Sequence, residues 1–264
     1  RGLTIEGDNL IWTPSQSRMV INQRPKANDG KAQIRSRELV FQQDTEVLEF
    51  KGPTQLNRVD GTNAASTVVR GGHGTWNLKS GLLQAPGPVQ AIRSDGRTLS
   101  ASGLDGNTRQ GYLDLQQPVT LVLESDRGRI TAGRTRWLFS AEQLQSDQPI
   151  QAELKNSKVQ GRGFKLDQRT GTVIISNSCR VEQTLETLTA QRCAWNWRSE
   201  RVVADGDVVL QRTEPEQITR ASRMEAKISD DGAIRFGQAG ARVESTIKLS
   251  PAAQEKPRRP QVSF

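Results

Sequence analysis

The chain has 264 residues, a net charge of +8 and only 34% hydrophobic residues, which is low for a globular body of this size and fits strands with one apolar and one polar face. No stretch stays apolar over the roughly 18 residues that a membrane-spanning helix needs, and none keeps the three-and-four apolar spacing of an amphipathic helix. The basic charge is scattered through turns and outward strand positions, whereas a nucleic-acid surface would cluster it among stacking aromatics, so no nucleic-acid partner is expected.

The chain opens at Arg1 without a methionine and reads as a processed piece. A first repeat spans residues 3–23 and is followed by a polar turn at residues 26–31. A second runs from Ile34 through Phe41 and Leu48 to Leu56, and a polar insertion at residues 58–67 lengthens the step to the third. Repeats three to six are tightly joined at Asp95-Gly96, Ser125-Asp126 and Asn156-Ser157, the short polar turns of antiparallel hairpins.

The sixth repeat, residues 159–181, shows the unit whole. Val159 and Gly161 alternate as a strand face does, one residue breaks the alternation, and Phe164 and Leu166 resume it. Such a break predicts a bend or bulge. After a turn at residues 167–171, Val173, Ile175, Cys179 and Val181 show a second apolar face, completing a bent hairpin.

Anchored on Leu166, the unit recurs at Trp12, Phe41, Trp76, Gly106, Trp137, Trp195 and Ala226, giving eight copies. Five residues before each anchor stands a small residue, among them Gly7, Gly71, Gly161 and Ala190, where a bulky side chain would crowd the corner. Seven residues after it stand Met19, Leu48, Leu83, Leu113, Leu144, Val173, Val202 and Ala233. Twelve residues after four anchors come Pro53, Pro88, Pro118 and Pro149, marking one structural joint, since proline lacks a ladder donor. The eighth repeat is weaker, and the stretch from 246 to 264 is Pro-rich and charged, reading as a disordered tail. The predicted fold is all-β: one bent antiparallel jellyroll over residues 1–245, of about sixteen strands, with open edges and the anchor column turned inward.

Cys179 and Cys193 invite a disulfide. Pairing Val181 with Leu188, however, sets Cys179 opposite Ala190 and Cys193 a few residues further along, beyond the roughly 7 Å reach of a bridge, so two buried thiols are expected. No catalytic constellation is found. His73 stands alone at a glycine-rich bend without metal-ligand or triad partners, and no cofactor motif is present. The inward apolar face suits acyl chains, and the residues expected to line a groove for them are Phe41, Trp76, Trp137, Phe164, Leu166 and Trp195. Leu3 and Ile5 at one end, and Ile234 and Val243 at the other, mark edges open to strand addition by a partner.

The unit VQGRGFKLDQRTGTVIISNSCRV, with ITAGRTRWLFSAEQLQSDQPIQAEL and LTAQRCAWNWRSERVVADGDVVLQR, resembles the OstA-like repeats of the LptC/LptA family of lipopolysaccharide-transport periplasmic proteins. The resemblance implies a bent β-jellyroll whose groove passes lipopolysaccharide from inner-membrane ABC transporter subunits to another β-jellyroll joined by edge-strand pairing. Within the family the LptC branch is favoured, which implies a periplasmic domain anchored to the inner membrane by a segment before Arg1. Two other readings fit a repeating β pattern: a parallel β-helix acting on polysaccharide, and a non-catalytic scaffold or adhesive protein without a groove. Strand direction separates the first of them.

Overall fold

A period-two apolar pattern interrupted once per strand builds a sheet that must fold over on itself. The computed structural model describes residues 3–28, 30, 32–58, 66–123, 128–154, 157–214, 216–227, 234–237 and 242–248. Among the described residues, 25 strand segments form fifteen bent strands, and Arg235–Gly237 and Glu244–Ile247 pair with the two arms of the fifteenth, in the place of the sixteenth strand that eight hairpins require. Each bent strand runs from a first leaf to a second or back, and the two leaves form the walls of a long V. All pairings among the described residues are antiparallel and follow a meander, so the parallel β-helix reading falls.

The sequence columns are cross-strand partners. Trp12 pairs with Met19, Phe41 with Leu48, Trp76 with Leu83, Gly106 with Leu113, Trp137 with Leu144, Leu166 with Val173 and Trp195 with Val202. Because the side-chain period is two, this register points both columns to the inside of the V. Between repeats, Val181 pairs with Leu188 and Cys179 with Ala190, as expected.

The corner has two solutions in one column. Pro53, Pro88, Pro118 and Pro149 turn the returning strand in repeats two to five, with the Gln117–Pro118 bond cis. Where proline is missing, Arg24, Ser178 and Asp207 occupy the same place with φ of 48°, 53° and 46°. Both solutions take one residue out of the regular ladder. The small column is needed at the same corner: a Cβ on Gly161 would overlap the Cγ2 methyl of Ile175, and one on Gly7 that of Ile21.

The hairpin tips in the second leaf are just as regular. Five residues after the anchor the chain turns left-handed at Ser17, Glu46, Gly81, Gly111, Glu142, Gly171 and Glu200. One residue after it, the side chains of Asn77, Asn107, Asp167 and Asn196 accept hydrogen bonds from backbone N–H groups two to three residues on. Two hydrophobic clusters fill the V. The N-terminal one centres on Ile21, Ile34, Leu39, Leu48 and Phe50, and a larger one extends from Ala85 to Met224. Each fully buried Leu or Ile contributes roughly 1.5–3 kcal/mol.

Strand continuity changes along the chain. From Gln143 onward the strands Gln143–Leu154, Ser157–Asp167, Thr172–Glu182, Arg201–Thr213 and Glu216–Lys227 run through the corner, with Glu186–Ala190 and Arg192–Asn196 split there among them, whereas every described strand before Gln143 is split at the corner. The last segment, Glu244–Ile247, carries the sheet two residues into the stretch read as tail, and Lys248 N donates to the Glu216 carbonyl. The polar insertion at 59–65, the turn at Ser125-Asp126, Asn156, Ala233 and the tail from 249 lie outside the described residues.

Candidate functional site

Between the leaves, in the C-terminal half, the core does not close. A cavity of about 770 Å³ remains, within the roughly 300–1,000 Å³ typical of small-molecule sites. Ile150, Val159 and Leu188 of the first leaf and Ile175, Val202 and Met224 of the second supply its walls. Each sits at an inward position of a strand whose alternate residues carry the charged outer face. Strand alternation therefore makes the lining apolar without any special motif.

Polar groups are confined to the open side of the cavity, where the tips of the two leaves form its lips. Gln183, Thr184, Leu185 and Glu186 belong to the first leaf, Glu200 and Lys227 to the second. Arg212 pairs in register with Glu186, its Nε lying 2.7 Å from the carboxylate. Leu185 is 46% exposed there. On the outside, Arg136 Nε donates to Asp114 Oδ1 at 2.7 Å and Arg223 Nη1 to Asp205 Oδ1 at 2.5 Å. Much of the cationic charge is thus matched across strands. The Arg136 guanidinium, opposed by burial and joined by Arg134, holds the Asp114 carboxyl below the usual aspartate range.

The six residues expected to line a groove are all turned to the inside, but only Trp195 lines the cavity. Phe164 is 5% and Leu166 0% exposed, both locked in the packed core. Trp137 packs half-buried on the larger cluster, its ring meeting Phe139 edge-on at 6.3 Å, while Phe41 and Trp76 pack on the N-terminal cluster. Trp12 departs from its column and is 39% exposed, because the first strand has a neighbour on one side only. Trp197, two residues beyond its anchor, is 3% exposed and lies 6.0 Å from Trp195. It stands in the turn directly after the strand Arg192–Asn196 that carries Trp195, and its sequence distance from that anchor was the available signal.

The cysteines overturn the expectation of free thiols. Cys179 and Cys193 are bridged, with Cα atoms 5.9 Å apart. Ile175 pairs with Cys193 and Cys179 with Ala190, so one strand spends an extra residue at the corner, where Ser178 turns left-handed. The two cysteines then flank the vertex from opposite leaves instead of lying further apart along one ladder. Cys193 forms part of the cavity floor.

Leu3 and Ile5 are half-buried at the first edge, where Thr4–Glu6 and Asn9–Thr13 each pair on one side only. At the far end Ile234 and Val243 flank, and do not belong to, the edge segments Arg235–Gly237 and Glu244–Ile247. Among the described residues no group of three or more His, Cys, Asp or Glu side chains converges as a metal site, and no helix is long and apolar enough to cross a membrane.

Fold and cavity together define an antiparallel β-jellyroll with an apolar chamber between its leaves. No protein-family model matches the chain, and no curated protein matches it. Among solved structures it is similar to LptH, described as the LptA homologous periplasmic component of the conserved lipopolysaccharide transport device from Pseudomonas aeruginosa. The two share 12% identity over 47% of this chain and 96% of that one, with a TM-score of 0.42. Similarity of that extent speaks to neither activity nor partners.

Proposed function

We propose that the protein is a non-catalytic periplasmic carrier of the LptC kind, which holds lipopolysaccharide acyl chains and passes them from inner-membrane ABC transporter subunits to another jellyroll. The observation that carries this reading is the apolar cavity between the leaves, since a layer that only seals a scaffold has no reason to leave about 770 Å³ unfilled. The repeat resemblance supplies the class of lipid. The disulfide suits an oxidising compartment such as the periplasm.

Handover by edge pairing is supported by the two half-paired edges. Leu10 and Ile11 are exposed on consecutive positions of the first, and the second carries an exposed Ile247.

Native mass spectrometry of the purified chain with lipopolysaccharide is expected to show a bound adduct. Val202→Trp, which fills the chamber from the second leaf, is expected to remove it. An adduct that persists in a folded Val202→Trp variant would refute the site, and no adduct in the parent would favour a scaffold.

A further inference from the structure

The chamber does not run the length of the molecule. On the N-terminal side of it the V is packed and its mouth is tied shut. Arg93, at a first-leaf tip of the third hairpin, reaches across to second-leaf tips of the fifth and sixth: its Nη1 donates to Gln168 Oε1 at 3.0 Å and lies 3.7 Å from Glu142 Oε2. Asp95 lies 3.4 Å from Arg93 Nε and is held in turn by Arg97. Both ends of the tie are sheltered, with Gln168 6% exposed and the Arg93 side chain 16%. Inside the tied region the interior is filled by buried Leu99, Leu104, Leu113, Leu115 and Leu121. Gly106 stands at an anchor position where a Cβ would run into the backbone of its own paired strand, at the Tyr112 carbonyl and Leu113.

Past the tie the character of the lips reverses. Arg93 and Gln168 face each other across a closed mouth, whereas Leu185 stands exposed at the rim of the chamber, among the balanced charges of Glu186, Glu200, Arg212 and Lys227. An apolar side chain presented to water at the rim of an apolar chamber is a threshold for an apolar group.

We infer that the acyl-binding site is confined to the C-terminal half, closed at its inner end, and entered sideways between the lips at Leu185 and Lys227, so that chains do not thread through the jellyroll from the N-terminal edge. This rests on the reading of the protein as a lipid carrier and adds the route and extent of the site. Closure beyond the chamber is provided by the packed interior and by the Arg93 tie over it.

The test is photo-crosslinking of the full chain to lipopolysaccharide, with p-benzoylphenylalanine placed in turn at Leu185, Phe41 and Trp76. Labelling is expected at Leu185 and absent at the other two. A second pair of variants probes the route with the label at Trp195, a cavity-lining position that already carries a large aromatic ring. Leu185→Asp, a charge set on the threshold, is expected to cut labelling about tenfold or more. Leu82→Asp, at a side chain 54% exposed on the N-terminal half, is expected to leave it unchanged. Comparable labelling at Phe41 or Trp76, or equal losses from the two aspartates, would overturn the lateral route and leave the carrier reading standing. No labelling at any position would overturn both.

Discussion

Cys179 and Cys193 join the two leaves of the V across its vertex, a covalent link between walls otherwise connected through the strands themselves. The bridge closes a loop of about 15 residues, for which the chain-entropy account gives about 3 kcal/mol. Reduction, or the double substitution Cys179→Ala/Cys193→Ala, should lower the urea midpoint accordingly. Equal midpoints with and without reductant would show that the corner needs no clamp.

Glu46 provides a prediction of opposite sign. It is exposed and left-handed at φ 53°, in the column where Gly81, Gly111 and Gly171 stand in other hairpins. A non-glycine residue in that conformation costs about 1–2 kcal/mol, part of which glycine's greater freedom in the unfolded chain takes back. Glu46→Gly should therefore raise the unfolding free energy by about 0.5–1 kcal/mol, measurable as a higher Tm.

Asp114 links stability to pH. Its carboxyl is depressed mainly by the Arg136 hydrogen bond, so its contribution is present above the ordinary aspartate value near 3.9 and is lost as pH falls through the lower folded-state value. Arg136 is half-exposed, which limits the pair to about 1 kcal/mol. Asp114→Asn should cost that much at pH 7, and its urea midpoint should converge with that of the parent as the pH drops below about 4. A constant gap down to acid pH would mean that the loss is steric, not ionic.

Gly161 tests the corner. Because its Cβ would overlap Ile175, Gly161→Ala should destabilise by about 1–3 kcal/mol. Adding Ile175→Ala should cost less in that background than in the parent, a coupling visible in a double-mutant cycle. Strict additivity would place the strain elsewhere.

The repeat, the antiparallel register and the inward anchor column were legible because alternation and spacing report directly on which side chains share a face. Leu166 stands in the sixth repeat where other repeats carry tryptophan, and it pairs with Val173 as the columns imply. The disulfide was not legible. Linear register counts along one ladder, whereas Cys179 and Cys193 meet because an unpaired corner residue folds that ladder over. The site was legible only in part. Apolar patterning gives Leu166 and Val202 the same inward assignment, yet one is sealed in the core and the other borders open space. That difference comes from the spacing between leaves, which no single strand encodes. Arg93 and Gln168 were invisible for the same reason, being 75 residues apart and joined only by the twist of the leaves.

The unbroken strands and the disulfide occur in the same half of the molecule as the chamber. A wall that borders empty space lacks side chains behind it to resist collapse, so its rigidity must come from the backbone. In the N-terminal half the corners are interrupted and dense packing maintains the angle between the leaves. In the C-terminal half five strands run through the corner across a local register shift, and a covalent brace is added. The covalent brace thus sits where the molecule is hollow, at the place where side-chain packing does least to hold the leaves apart.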